Sequence, residues 1–189
     1  AVARALGGPV AIKIVSPDIP HKSDVGGVAL GLASPEAARA AATRMLADVA
    51  RARPDARLDG VLVQAMAAGD AVELLLGMVR DVQFGPLVVV GFGGIFVEIF
   101  GDTATRLAPV DAAEARAMLD ELRMAPVLKG ARGRPAVALD ALAGAIVRFA
   151  RLAADVPDLQ ELEINPLLAS PSGARALDVR GRIGDKEIP

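Results

Sequence analysis

Apolar residues dominate this chain, but they occur only in short runs. They make up 53% of its 189 residues. The longest apolar run, residues 86–97, has 12 positions, and three of them are glycine. A helix that crosses a bilayer needs about 18 consecutive apolar residues or more. The pattern therefore argues against a transmembrane helix and predicts one sizeable core, in a single domain or in two lobes.

Composition excludes several other classes of protein. The formal net charge is −2, and aromatic residues make up 3% with no Trp or Tyr, so neither electrostatics nor base stacking favours a nucleic-acid partner. Without cysteine there is no disulfide, no Cys-based zinc site and no thiol nucleophile. The single histidine, His21, is the only source of imidazole chemistry. No signal-peptide pattern opens the chain, so we expect a cytoplasmic protein without a membrane partner.

Strand-like and helix-like segments alternate irregularly, which predicts an α+β fold with hairpins. Helices are expected from the cap at Ser34 to about residue 50, from the capping box at Asp111 to about residue 123, and from Asp140 to about residue 154. A turn at 67–70 separates two of the strands, and the tail from residue 184 looks unstructured. The predicted strands are 10–15, 28–32, 58–66, 71–80, 87–90, 160–168 and 174–180.

Lys13 lies inside an apolar strand, between Ile12 and Ile14. Burying an unpaired ammonium group costs on the order of several kcal/mol, so the Lys13 side chain must reach water or an anion. Two interpretations stay open at this stage. Lys13 either snorkels from a half-exposed strand or binds an anionic ligand.

His21 lies in a predicted loop, residues 16–27, that also holds Lys22, Ser23 and a Gly26–Gly27 pair. Backbone amides, a cation and an imidazole all bind phosphate, and imidazole can attack phosphorus. The loop therefore fits a mobile segment that handles an anion. The alternative is a histidine that is only solvated.

A glycine cluster, residues 91–94, follows the strand at 87–90. It is not a dinucleotide-binding fingerprint, because the sixth position of the pattern is Phe96 rather than glycine. A turn that brings backbone amides to a phosphate and a turn that is merely tight explain it equally well.

The C-terminal hairpin carries the sharpest arrangement of polar residues. Glu163 and Asn165 lie two apart on a strand and so share one face. A two-residue turn at 171–172 would place Asn165 opposite Asp178, whereas a bulge at Gly173 would shift that pairing by one residue. Two carboxylates and an amide are hard oxygen ligands of the kind that suits Mg²⁺. The alternative is the polar face of an edge hairpin.

Taken in order, six blocks of the chain resemble the ATP-grasp domain of NDP-forming acyl-CoA synthetases, the β-subunit module related to succinyl-CoA synthetase β. The resemblance runs from about residue 8 to residue 183. The blocks are VAIKIVSPDIPHKSDVGGVALG (10–31), VLVQAMAAGDAVELLLGMVRD (61–81), FGPLVVVGFGGIFVE (84–98), RLAP (106–109), LEINPLL (162–168) and LD (177–178).

The resemblance implies an α+β ATP-grasp fold of two lobes with the nucleotide site between them. The N-terminal lobe would span about residues 1–65 and the C-terminal lobe about residues 66–183, followed by a tail at 184–189. Domains of this family usually begin earlier, with a helix and a strand ahead of the lysine strand, so we expect the N-terminal lobe to be incomplete.

The resemblance also implies roles for individual residues. Lys13 would contact ATP phosphates, and His21 would take phosphate transiently. The other nucleotide-binding positions would be Gln64, Ala65 and Met66 at the adenine, Glu73 near the ribose, Gly93 and Gly94 at the phosphates, and Arg106 on the phosphate side. The Mg²⁺ ligands would be Asn165 and Asp178, with Glu163 beside them.

The implied reaction is acyl-CoA + ADP + phosphate ⇌ carboxylic acid + CoA + ATP, with Mg²⁺ and ATP or ADP as cofactors. The implied partner is a CoA-binding domain or subunit of the same enzyme, in a homo- or hetero-oligomer. By itself, the chain is not expected to catalyse a full turnover. The alternative function is a regulatory ligand-binding module fused to a protein-lysine acetyltransferase.

Overall fold

The computed structural model of the chain describes residues 2–66, 71–93, 101–131, 133–184 and 186–188. The chain divides into two compact units, Ala1–Ala67 and Ala68–Pro189. No helix in these described ranges is long and apolar enough to cross a membrane.

The first unit is a small antiparallel sheet packed against one long helix. Its strands lie in the order β2-β1-β3, and helix α2 begins at the cap Ser34, whose side chain accepts a hydrogen bond from the backbone N–H of Ala37. Ile12 and Ile14 of β1 pack against Met45 of α2. The elements are α1 (Val2–Ala5), β1 (Val10–Val15), a 3-10 helix (Lys22–Val25), β2 (Val28–Leu32), α2 (Pro35–Ala52) and β3 (Gly60–Ala65).

The second unit is a larger antiparallel sheet with helices on one face. The strand order in the described part is β10-β9-β7-β4-β5-β6, and β8 also pairs with β7. The strands are β4 (Val72–Asp81), β5 (Gly85–Phe92), β6 (Thr103–Leu107), β7 (Leu159–Ser170), β8 (Gly173–Ala176), β9 (Val179–Ile183) and β10 (Lys186–Ile188). The helices are α3 (Ala112–Glu121), α4 (Ala125–Leu128) and α5 (Leu139–Asp155).

The core of this unit lies between the sheet and helices α3 and α5. Alternate residues of the central strands, such as Leu76 of β4 and Val90 of β5, are fully buried against Met118 and Ile146 of the helices. Because successive strand residues point to opposite faces, the residues between them lie on the face away from the helices. We call this the second face of the large sheet.

Most predicted elements are present, and β1 and β2 have the predicted bounds. One expectation is wrong: the tail from residue 184 is not unstructured, because Lys186–Ile188 pairs with β9. The strands predicted at 58–66 and 71–80 belong to different sheets, β3 to the small one and β4 to the large one. The turn expected at 67–70 lies outside the described residues.

Three further differences are local. The strand predicted at 174–180 is divided into β8 and β9. The loop at 16–27 contains the 3-10 helix, and β6 was not predicted at all. The division into β8 and β9 and the presence of β6 depend on pairing with another strand, and the 3-10 helix is a single turn. Segments of either kind leave only weak patterns in the sequence.

Candidate functional site

Lys13 lies on the central strand of the small sheet, on the face away from α2. Its neighbours Ile12 and Ile14 are buried toward the helix, so alternation places Lys13 on the other face. Lys13 is partly buried and lies opposite Val28 of β2 and Leu62 of β3. This placement leaves the ammonium on a sheet face and not in the core.

Gln64 shares that face of the small sheet. It pairs with Ala11, two residues before Lys13. Ala65 ends β3, and Met66 follows it, with its backbone N–H donating to the carbonyl of Pro9 at 3.0 Å. Both Ala65 and Met66 are exposed. The structure therefore brings Lys13 and Gln64 together within the first unit.

His21 is exposed at the start of the 3-10 helix, in a segment that is fixed at both ends. On one side, Ile19 is 1% exposed within the core, and the Asp18 carboxylate accepts a hydrogen bond from the backbone N–H of Arg57 at 2.7 Å. On the other side, the carbonyl of Gly27 accepts from Ile14 at 2.8 Å. The imidazole is thus presented to the outside by an anchored loop.

Glu73 of β4 and Gly93, the residue after β5, meet in the large sheet. The backbone N–H of Gly93 donates to the carbonyl of Glu73 at 2.8 Å. A Cβ at position 93 would lie 3.2 Å from the backbone of Leu74, so the close approach of β4 explains why this residue is glycine. Glu73 is exposed on the second face. Gly94 lies outside the described residues.

The hairpin between β7 and β8 has the simple two-residue turn, since Ser170 pairs with Gly173. The same register places Asn165 opposite Asp178, and the backbone N–H of Asn165 donates to the Asp178 carbonyl at 3.1 Å. Pro166 has no N–H to continue the ladder. The gap between the end of β8 and the start of β9 lies opposite this residue. Of the two registers considered, the one without a bulge is confirmed.

The second face around this pair carries both acceptors and a cation. The Asn165 side-chain nitrogen Nδ2 donates to Oε1 of Glu163 at 3.0 Å. A guanidinium nitrogen of Arg180 lies 3.7 Å from the same oxygen. Opposite Glu163 on β4 is Gly77, so no side chain from that strand covers the carboxylate at this position.

The donor set fits a divalent cation that shares its ligands with a substrate. No group of three or more His, Cys, Asp or Glu residues with metal-site geometry occurs in the described ranges, so a cage made only of such residues is not present there. Directly opposed strand residues have Cβ atoms about 4.5–5.5 Å apart. That spacing allows Asn165 and Asp178 to offer oxygens to one ion, and Mg²⁺ typically takes one or two protein carboxylates plus phosphates and water.

Arg106 does not join this group. It follows Ala104 on β6 by two residues, and Ala104 is buried in the helix-covered core, so Arg106 points to the helix side of the sheet. Its guanidinium forms a hydrogen-bonded ion pair with Glu121 of α3. That hydrogen bond is the main cause of the raised pKa of Arg106. Contact with a phosphate on the second face would require Arg106 to leave this partner.

Sequence reasoning missed Arg180 as a neighbour of the site. The signal was available: the turn that pairs Asn165 with Asp178 also pairs Glu163 with Arg180 and Glu161 with Arg182. The second of these pairs is joined at 2.6 Å. The hairpin therefore carries two parallel carboxylate–guanidinium rungs beside the opposed Asn165 and Asp178.

Comparison with known proteins identifies the fold. Residues 1–183 match the family model of an ATP-grasp domain. The chain belongs to the ATP-grasp family. Over 93% of its length this ATP-grasp domain is 43% identical to the β subunit of the ADP-forming acetate–CoA ligase I of Pyrococcus furiosus, of which it covers 75%. It is 40% identical to the ADP-forming acetate–CoA ligase I of Archaeoglobus fulgidus, of which it covers 27%.

Solved structures agree with this assignment. The ATP-grasp domain superposes with a TM-score of 0.92 and 40% identity on the dinucleotide-forming acetyl-coenzyme A synthetase 1 of Ca. Korarchaeum cryptofilum in complex with coenzyme A, Ca-AMPCP and HgCl⁺, covering 96% of this chain and 79% of that one. A second structure of that protein, with coenzyme A and Mg-AMPPCP, has a phosphohistidine segment pointing towards the nucleotide-binding site (TM-score 0.83, 37% identity, covering 96% of this chain and 79% of that one). The predicted α+β ATP-grasp fold is confirmed.

Proposed function

We propose that this ATP-grasp domain is the nucleotide-phosphorylating module of an ADP-forming acyl–CoA ligase. The reaction is acyl-CoA + ADP + phosphate ⇌ carboxylic acid + CoA + ATP. The observation that carries the proposal is the opposed pair Asn165 and Asp178 on the second face, in a domain whose relatives are ADP-forming acetate–CoA ligases. The pair is suited to hold the cation of a metal–nucleotide complex.

The metal would be held by Asn165 and Asp178, with Glu163 beside them. A bound Mg²⁺ supplies charge neutralisation at the phosphate oxygens. Phosphoryl transfer needs little covalent chemistry from a protein, so positioning and electrostatics dominate. Lys13 would neutralise further phosphate charge from the small sheet, and Arg106 would do so after exchanging Glu121 for the nucleotide.

The remaining predicted positions would bind the nucleotide. Residues 64–66 would meet the adenine through the end of β3, and Glu73 would bind the ribose hydroxyls. Gly93 is packed against β4, which would place its backbone beside Glu73 and close to the phosphates. Gly94 would bind the phosphates as well. These roles rest on position and on the family resemblance.

His21 would carry the phosphoryl group between sites. An imidazole nitrogen attacks the phosphorus of an acyl phosphate and the carboxylate leaves; a terminal oxygen of ADP then attacks the phosphohistidine, forming ATP and restoring imidazole. Its exposure at the tip of an anchored loop supports this. A structure of a relative with a phosphohistidine segment pointing towards its nucleotide-binding site supports it as well.

The partner would be a CoA-binding domain or subunit. The curated relatives include both a separate β subunit and a chain of which this domain is about a quarter. The partner would form the acyl phosphate from acyl-CoA and phosphate, which this domain then uses. We place the enzyme in the cytoplasm, where its nucleotide and CoA substrates occur.

The test is ATP formation from ADP, phosphate and a panel of acyl-CoA thioesters, beginning with acetyl-CoA, by the complete enzyme that contains this chain. Asp178→Asn should reduce Mg²⁺-dependent nucleotide affinity by about tenfold or more, equivalent to at least about 1.4 kcal/mol. Glu161→Gln, on the same face of β7, is the matched control. Equal Mg²⁺ dependence in Asp178→Asn and wild type would exclude the metal assignment.

A labelling experiment tests His21 separately. The enzyme is incubated with γ-labelled ATP and Mg²⁺, and the acid-labile phosphate is mapped by peptide in wild type and His21→Ala. We expect label on the peptide that holds His21 and its loss in the variant. An enzyme that turns over without label on that peptide would remove this role. The absence of any ATP synthesis by the complete enzyme would favour the regulatory alternative.

A further inference from the structure

Glu163 is held between two donors on the second face of the large sheet. Its Oε1 accepts a hydrogen bond from Asn165 Nδ2 at 3.0 Å and lies 3.7 Å from a guanidinium nitrogen of Arg180. Neither Glu163 nor Arg180 is in the core, since their side chains are 40% and 34% exposed. The contact with Asn165 runs along β7, and the contact with Arg180 crosses from β7 to β9. Both lie beside the opposed Asn165 and Asp178.

The contact with Glu163 decides which way the Asn165 amide faces. An ionised carboxylate only accepts hydrogen bonds, whereas an amide group has a donating nitrogen on one branch and an accepting oxygen on the other. An amide oxygen turned to Glu163 would place two hydrogen-bond acceptors against each other, with no proton between them. The nitrogen therefore faces Glu163, and the oxygen branch of Asn165 is left for another partner.

We propose that Glu163 and Arg180 are positioning residues that hold the Asn165 amide with its oxygen toward the cation. The proposal rests on the metal site proposed above and changes one part of it, because Glu163 acts through Asn165 and is not itself a ligand. Groups that orient a metal ligand through its second polar atom commonly tune metal affinity in this way.

Arg180 has a distinct part in this arrangement. A carboxylate beside a cation site competes for the cation unless another positive charge offsets it. The guanidinium of Arg180 provides that charge from the opposite strand, directly across from Glu163. The Glu163 carboxylate then stays available as the hydrogen-bond acceptor for Asn165.

The neighbouring rung of the hairpin offers a matched control. Glu161 and Arg182 lie on the same two strands and the same face, in the same cross-strand relation, and form an ion pair at 2.6 Å. Glu161 is four residues from Asn165 along β7 and therefore lies one rung farther from it. Loss of that pair, whose atoms are closer than those of Glu163 and Arg180, should disturb hairpin stability at least as much without changing the amide.

The experiment is a double-mutant cycle on the complete enzyme. The dissociation constant of a non-hydrolysable ATP analogue is measured calorimetrically over a range of Mg²⁺ concentrations for Glu163→Ala, Asn165→Ala and the double variant. The unfolding midpoint without ligand reports on folding. Glu163→Ala should weaken Mg²⁺-dependent binding about tenfold or more, and it should cause no further loss when Asn165 is already Ala.

Further variants and outcomes complete the test. Arg180→Met should weaken Mg²⁺-dependent binding in the same direction, again only when Asn165 is present, and Arg182→Met should not. Additive effects of Glu163→Ala and Asn165→Ala would overturn the proposal, because they would make Glu163 a ligand in its own right. So would equal losses in Arg180→Met and Arg182→Met. No effect of Asn165→Ala would instead refute the underlying metal site.

Discussion

Replacing Arg80 by methionine should destabilise the second unit more than any loss of a surface ion pair. Arg80 is at the end of β4, and its guanidinium donates to three backbone carbonyls. The distances are 2.8 Å to Leu159, 2.7 Å to Ala153 and 2.9 Å to Val156. These carbonyls belong to the last turn and cap of α5 and to the first residue of β7. A single side chain thus joins a central strand to the end of the helix that packs on it.

The size of the destabilisation follows from the hydrogen bonds that the three carbonyls lose. Ala153 and Leu159 are 1% and 4% exposed, so water cannot freely replace the guanidinium there. Leaving a buried acceptor unpaired costs about 1–3 kcal/mol, and methionine retains much of the apolar stem. Two such acceptors, with the Val156 carbonyl better hydrated, indicate a loss of about 2–6 kcal/mol in the free energy of unfolding.

Urea denaturation followed by circular dichroism measures the effect. The control is Arg151→Met at the same end of α5. Arg151 pairs with Asp155 at 2.7 Å, but both side chains are more than half exposed (70% and 56%), so its loss should cost about 0.3–0.5 kcal/mol. If Arg80→Met cost no more than Arg151→Met, the three carbonyl contacts would not contribute to stability and the reasoning would fail.

Two other variants probe the anchored loop and the acid stability of a turn. In Gly27→Ala the new Cβ would lie 2.6 Å from the Ile14 side chain, and this overpacking should lower the free energy of unfolding by about 1–3 kcal/mol; Gly8→Ala, whose Cβ meets nothing within 4 Å, is the control in the same urea titration. Backbone N–H groups of Phe84 and of the residue before it lower the pKa of Asp81. That contribution is present above the ordinary pKa of about 3.9 and is lost as the pH falls through the lower folded-state value. In Asp81→Asn, the free energy of unfolding should therefore fall less steeply as the pH is lowered. An unchanged profile of that free energy against pH would contradict the role given to Asp81.

The elements with strong local signals could be predicted from the sequence. β1 and β2 are short apolar runs bounded by Gly, Pro and polar residues, and the helix caps at Ser34 and Asp111 have the side-chain hydrogen bonds expected of them. The most useful local prediction is the turn at 171–172. It fixes the register of a whole hairpin and hence the opposition of Asn165 and Asp178, because each further pair follows from the first.

The edge strand β6 shows where local patterns mislead. Leu107 is 50% exposed, whereas Ala104 is buried and Arg106 points to the helix side. The larger apolar side chain, Leu107, is on the exposed face and the cation Arg106 is on the helix side, the reverse of what hydrophobicity alone would predict. Arg106 is tolerated there because Glu121 of α3 neutralises it, and that helix comes from a later part of the chain.

The sequence by itself thus determined the family and most of the elements, and it limited the pairing of Asn165 to two registers, since all of these depend on neighbouring residues or on one tight turn. Only the tertiary structure decided which of those two registers forms, that Arg80 bonds to the end of α5, and that Arg180 reaches Glu163. Alternation shows that a strand has two faces, but it does not show which face a distant helix will cover. That choice is made by long-range burial, and it determines which charged side chains remain available for a ligand.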